Sequence, residues 1–392
     1  MLLEIPKSEF KERQQKFIEK VEGRSCDVAV IFAVADIFYL TGFHFHPTER
    51  PIGLAVDSNH QFHLFVPQLE HEHAEEYSVV DHVHSYPEYP GIKHSMEYFK
   101  EVLIDNGFEG KTVGYDSIGY GSSMGYEGPS IDQLITAKSF QSLRGVIEEL
   151  RFVKSRNEIE LIKESCRWGN LAHRLLQKYT KAGVSEIEIT TKASNEATLA
   201  MIETLGPEYK PHGGTAHAIF RGQIGPESAF PHAVTQNIIL SKGDTLVTGA
   251  GASVFGYNSE LERVMFVEEF SPEQEKHFDY MYRAQEVAFK AIQPGKPFSF
   301  VEEQVQEFFK QEGITKLTRH HTGHNIGILG HEAPFFDLGD HREMKPGMVV
   351  TVEPGVYVPG LGGFRHSDTV LITENGIEML TYYPRDLNSL IC

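Results

Sequence analysis

The chain has 392 residues, long enough for two domains that each bury a core. Hydrophobic residues make up 40% and charged residues 23%, which excludes a disordered or fibrous chain. The formal net charge of -19 argues against nucleic acid or an anionic membrane as partner, because both select basic surface.

Met1 to Arg13 mixes acids and bases and lacks the apolar core of a signal peptide, so a cytoplasmic protein is expected. Lys7 to Val21 has the spacing of an amphipathic helix. Asp27–Ala33, Gly53–Val56 and Phe62–Val66 read as strands, the last two separated by the turn formers Asp57, Ser58 and Asn59. The longest apolar run, Val28 to Leu40, is interrupted by Asp36 and is too short to span a bilayer. Gly121-Ser122-Ser123-Met124-Gly125 matches the pattern of a nucleophile elbow. Gly119 before it and Tyr126-Glu127-Gly128-Pro129 after it are loop formers, whereas that motif needs a strand and a helix. Val146, Leu150 and Val153 predict a connecting helix over 144–156, and Ser155 with Glu158 predicts a capping box opening the next one. We place the domain boundary there, giving domains 1–150 and 151–392.

In the second domain Ser271, Pro272 and Gln274 mark a helix start, with its end near Pro294-Gly295. Ser299 with Glu302 predicts another helix, ending near Gly313. Thr245–Thr248, Val264–Val267, Val349–Val352 and Thr369–Thr373 read as strands, so the spacing favours α+β over an alternating parallel sheet. Cys26, Cys166 and Cys392 are far apart and form no CxxC pair, which fits a reducing compartment without structural disulfides or zinc.

Acids and histidines cluster at glycine-rich turns in five segments: Phe230-Pro231-His232; Gly249-Ala250-Gly251 through Ser259-Glu260-Leu261-Glu262-Arg263; His320-His321-Thr322-Gly323-His324 with His331-Glu332; Thr351-Val352-Glu353-Pro354-Gly355; and Gly362-Gly363-Phe364-Arg365-His366-Ser367-Asp368-Thr369. In this order and at these separations they resemble the pita-bread family of creatinase, aminopeptidase P, prolidase and methionine aminopeptidase. The resemblance covers about residues 155–392, and residues 1–150 look like the family's small creatinase/prolidase-type α/β domain. It implies an α+β pita-bread catalytic domain behind that small domain.

The peptidases of this family hold two divalent ions with two aspartates, a histidine and two glutamates. By resemblance those places fall on Gly249, Glu260, His324, Glu353 and Ser367. Glycine and serine cannot replace carboxylates toward hard cations, so a dinuclear centre is not expected. One ion on Glu260, His324 and Glu353 is the alternative, with manganese, cobalt or zinc as the metal.

The resemblance to creatinase, the family's metal-independent amidinohydrolase, implies another division of labour. Glu262 and Glu353 would grip a cationic substrate group, and His232 would act as general base and then acid, with His324 and His331 at the same centre. Arg50 and His366 would bind substrate, Arg50 across a homodimer; Phe335 stands where creatinase has an arginine. His320 and His321 are expected beside the site or on the surface. The expectation is therefore a cytoplasmic, homodimeric hydrolase that cleaves a C–N bond in a small nitrogenous substrate such as an amidine, without metal or other cofactor. The alternatives are a Xaa-Pro dipeptidase or aminopeptidase using one or two ions on a dipeptide-sized substrate, and a catalytically inactive binding protein.

Overall fold

The computed structural model describes residues 3–121 and 124–392, and it divides into two compact units, Ile5–Arg151 and a larger one built on Phe152–Cys392. Among the described residues no helix is long and apolar enough to cross a membrane. The three cysteines are free.

In the smaller unit, α1 (Lys7–Gly23) precedes β1 (Val28–Ile31), α2 (Val34–Thr41), β2 (Gly53–Val56) and β3 (Phe62–Pro67). Then follow α3 (His71–Tyr77), β4 (His82–Tyr86), α4 (Ser95–Asp105), β5 (Thr112–Tyr115), α5 (Ile131–Leu134), β6 (Ser139–Ser142) and α6 (Val146–Arg151). The strands form one sheet in the order β4-β3-β2-β1-β5-β6. β1 pairs antiparallel with β2 and parallel with β5, a mixed α/β layer. Val28, Val30, Phe65, Phe99 and Val113 make its core with α4. The apolar run that begins at Val28 divides into β1 and α2. The carboxylate of Asp116 accepts from the amides of Phe32 and Ala33 and so fixes the two residues that lead into α2.

The connecting helix predicted over 144–156 stops at Arg151, whose guanidinium donates to Asp36 at 2.6 Å. Ser155 cannot lie inside a helix and also cap one. Its backbone is extended, and its hydroxyl accepts from the Glu158 amide while Glu158 accepts from the Ser155 amide.

The larger unit continues with α7 (Arg156–Tyr179), α8 (Glu186–Leu205), β7 (Ala216–Ile219), β8 (Thr245–Val247), β9 (Gly249–Val254), β10 (Tyr257–Asn258), β11 (Leu261–Glu262) and β12 (Val264–Phe266). After α9 (Pro272–Ala291) and α10 (Phe298–Gln311) come β13 (His324–Asn325), β14 (Glu332–Phe335), β15 (Val349–Val352), β16 (Gly355–Val358), β17 (Gly362–Arg365), β18 (Ser367–Thr373) and β19 (Gly376–Met379). The main sheet runs β10-β9-β11-β18-β15-β13-β14, with β7 on β9 and β19 on β18, and its pairings are antiparallel. This is the α+β arrangement the sequence predicts. α7 packs on α8 and across β9, where Gly169 lies against Gly251; a Cβ at Gly169 would sit 3.1 Å from the Gly251 Cα.

The Ser271 capping box forms as expected. The one predicted at Ser299 does not. α10 starts at Phe298 behind Pro297, Ser299 falls in the first turn, and Glu302 is used elsewhere. Its Oε2 accepts from the amide and the hydroxyl of Thr322, at 2.8 and 2.6 Å.

Candidate active site

The site is built on one face of the main sheet. Strand alternation puts Glu260 and Glu262 on that face and Leu261 and Arg263 on the other. Glu262 lies opposite Ser367 in the β11–β18 pairing, and Thr351 lies opposite Thr369 in β15–β18. The hydroxyl of Thr369 bridges the backbone of Glu260, accepting from its N–H at 3.1 Å and donating to its carbonyl at 2.7 Å. Thr322 ties Glu353 to α10, because its carbonyl accepts from the Glu353 amide at 2.7 Å while Glu302 holds its own amide. Gly323 must be glycine here, since a Cβ would come 2.1 Å from the Thr351 carbonyl oxygen. That close approach lets the His324 amide donate to the Thr351 hydroxyl at 3.1 Å.

Glu260, Glu262, Glu353, His324 and His331 converge. One ligand atom each of Glu260, His324 and His331, and of Glu260, Glu262 and Glu353, lie within 4.8 Å of one another. Nε2 of the fully buried His324 is 3.1 Å from Glu353 Oε1, but off the line of a hydrogen bond, which leaves that nitrogen without a hydrogen-bond partner. His331 stacks on His324 with ring centres 3.9 Å apart.

Charge is unevenly shared in this cluster. Burial, then Glu353 and Glu262, push the Glu260 carboxyl up to about 8. Burial would lower His324, but Glu353 and Glu260 hold it up to about 9. Burial would raise Glu353, yet His324 and Arg365 keep it ionised well below the usual carboxylate range. One imidazolium, that of His324, thus faces both Glu353 and Glu260 and leaves the Glu260 carboxyl raised; a metal ion would bring more positive charge.

Glu262 differs from its neighbours. Arg365 donates to both of its oxygens, one of them at 2.8 Å, and Arg221 donates to Oε1 at 3.3 Å. Arg365 also donates to the Tyr357 hydroxyl at 2.9 Å, and that hydroxyl lies 2.7 Å from His320 Nε2. Glu262 is thus committed to the protein's own guanidinium groups, which removes the reason to expect it to grip a substrate cation. Arg365 is not among the site residues expected from the sequence. The signal was its position two residues before Ser367, on the strand face that carries the acids.

The structure corrects His366. Its ring points away from the acids and is buried, with Nδ1 3.2 Å from the Val264 amide and Nε2 3.1 Å from the Arg385 carbonyl. Burial holds it neutral. Between Arg365 and Ser367 it faces the back of the sheet, where its two ring nitrogens are taken up by the backbone and not by the site. Arg50 lies in the smaller unit, where it pairs with Glu49 and donates to Glu88 at 2.7 and 3.2 Å. His232 is exposed on a turn, and among the described residues no hydrogen bond or ion pair links it to the cluster. Ser122 and Ser123 of the elbow-like motif lie outside the described residues.

A family model for Metallopeptidase family M24 matches residues 160–374, and one for the Creatinase/Prolidase N-terminal domain matches residues 13–153. The chain belongs to metallopeptidase family M24. It has the family's small N-terminal α/β domain followed by the pita-bread domain, and it is a hydrolase acting on a C–N bond. It is 30% identical over 384 residues to a Xaa-Pro dipeptidase of Pyrococcus furiosus, covering 96% of this chain and 99% of that one. The solved prolidase of Pyrococcus horikoshii superposes with a TM-score of 0.79 at 27% identity, over 96% of this chain and 99% of that chain. An uncharacterized peptidase of Staphylococcus saprophyticus is 26% identical over 375 residues, covering 95% of this chain and 99% of that one.

Proposed function

We propose that this M24 protein hydrolyses the amide bond of a small Xaa-Pro-type dipeptide with one divalent ion, held by Glu260, His324 and Glu353. The observation that carries this reading is how these side chains meet: Glu260 offers a ligand atom within 4.8 Å of one on His324 and, grouped with Glu262, of one on Glu353, and His324 Nε2 lies 3.1 Å from Glu353 Oε1. One imidazole and two carboxylates suit manganese, cobalt or zinc, the ion displacing the proton that Glu353 and Glu260 hold on His324. Gly249 and Ser367, at the family's other two ligand places, bring no carboxylate for a second ion. Full-length similarity to a protein named Xaa-Pro dipeptidase supports the substrate class.

When bound, the ion would activate a water and polarise the scissile carbonyl. His331, stacked on His324 and exposed, is assigned to carry a proton to the leaving nitrogen, with His232 on its exposed turn as the second candidate. Arg365 holds Glu262 in place and keeps Glu353 ionised. This reading departs from the metal-free amidine hydrolase that the sequence favours, because Glu262 is already engaged by Arg365 and Arg221.

Metal analysis of the purified protein, combined with a panel of Xaa-Pro dipeptides, tests it. The expected result is one ion per chain and dipeptide turnover that chelator abolishes. Turnover by ion-free protein, or two ions per chain, would overturn it.

A further inference from the structure

Arg221 is a cation beside an acid-rich site, in a backbone conformation that arginine rarely adopts. Its φ is +53°, in the left-handed region, and Gly222 follows at +69°. The turn is fixed from behind by Glu186, buried at the start of α8. Its carboxylate accepts from the amides of Gly222, Gln236 and Ile238 at 3.0, 2.8 and 3.1 Å. Gln223 closes the same loop by donating to the carbonyls of Phe230 and Pro231. An unfavourable backbone held this firmly aims the guanidinium at the Glu262 carboxylate, where Nη2 lies 3.3 Å from Oε1 while also donating to Gln223 Oε1 of its own loop at 3.5 Å.

That place borders the side chain Gly249 lacks. A Cβ built on Gly249 would lie 3.7 Å from the same Glu262 oxygen, in ordinary contact and with room to extend. On the adjoining strand Ser367, opposite Glu262, turns its hydroxyl to Glu260 at 2.7 Å. The side chain missing at Gly249 thus borders the oxygen that Arg221 contacts, and the one missing at Ser367 belongs to the residue paired with Glu262 on the adjoining strand. The Arg221 side chain is 38% exposed, and its Nε and Nη1 make no hydrogen bond among the described residues.

We propose that the guanidinium of Arg221 takes the place of a second ion in this site, putting a permanent positive charge beside Glu262 and offering its remaining N–H groups to an oxygen of the substrate. The inference rests on the single-ion reading above. It specifies that reading further: the substrate has an oxygen that is anionic, or becomes so during reaction, on the Arg221 side of the ion. A guanidinium suits this role because it is always charged and donates as a fork.

The test uses the manganese-loaded full chain. Arg221→Ala is expected to lower kcat/KM about 100-fold, mostly in kcat, as when a donor to a developing oxyanion is removed. Millimolar guanidinium ion should restore part of that activity, and Arg221→Lys should fall between the two. In parallel, Gly249→Asp with Ser367→Glu should still bind one manganese per chain while Arg221 is present, and two when Arg221→Ala is added. An unchanged kcat/KM in Arg221→Ala would overturn the proposal. So would a second manganese bound with Arg221 still present, or none bound after its removal. Metal content is read after a thermal melt shows each variant folded, and Arg221→Lys carries the test if Arg221→Ala is not. Failure of the single-ion reading shows separately, as unaltered protein with no ion or two.

Discussion

The hydroxyl of Ser367 donates to Glu260 across 2.7 Å, from the residue paired with Glu262 on the adjoining strand. A neutral hydroxyl there relieves Glu260 less than a cation would, and burial, then Glu353 and Glu262, still push its carboxyl up to about 8. An ion is the stronger partner for that group, and the first prediction concerns its ligands. His324→Ala or Glu353→Gln should each weaken manganese binding by more than the roughly 10–100-fold that follows loss of a supporting contact. Isothermal titration with manganese measures this, and unchanged affinity in both variants would remove these residues from the ligand set.

A second prediction concerns the back of the same strands. Arg263 is fully buried, donates to Asp368 at 2.7 Å, and also donates to the carbonyls of Glu262, Ser367, Tyr383 and Pro384. Arg263→Met leaves Asp368 buried and unpaired toward it, which should cost about 3–5 kcal/mol. Urea unfolding of the two proteins gives the difference, and a loss below 1 kcal/mol would contradict the assignment.

Acid should destabilise the larger unit through His173 and His366. Burial, then Arg263, depresses both well below the ordinary histidine value. Their folded pKa values lie below the unfolded value of about 6.5, so the unfolded chain binds more protons between the two. Their stabilisation is complete above about pH 6.5 and is lost as pH falls toward the folded values, by up to about 1.4 kcal/mol per pH unit for each histidine. Urea midpoints from pH 8 down to pH 5 should fall below about pH 6.5, and His366→Asn should make that fall shallower. A flat profile would rule out neutral burial.

The capping box of α9 supplies a smaller effect. Ser271→Ala removes the acceptor of the Gln274 amide and should lower stability by about 1 kcal/mol without changing turnover. Thermal melts and a dipeptide assay on the same sample check both halves.

Local chemistry made some of this legible in the sequence. Ser155 with Glu158 and Ser271 with Gln274 are capping boxes because the partners are three residues apart. The order of motifs around Glu260, His324 and Glu353 carried the fold and the centre of the site. What could not be read depends on distant partners or on which way a strand faces. Glu262 and Arg365 are 103 residues apart, so nothing in the sequence says that one occupies the other. His366 has the right chemistry for a site and lies beside it, but strand alternation turns it to the opposite side. Ser299 looked like a cap because Glu302 stands three residues on, yet Glu302 serves Thr322, twenty residues away.

Arg263 also bears on how this chemistry can vary. It rivets β11 to β18 from behind through the carbonyls of Glu262 and Ser367, without touching the side chains those residues present in front. The two strands therefore stay in register whatever those front-facing positions carry. A chain built this way can exchange its reactive groups while its shape persists, so kinship in shape is inherited more faithfully than turnover.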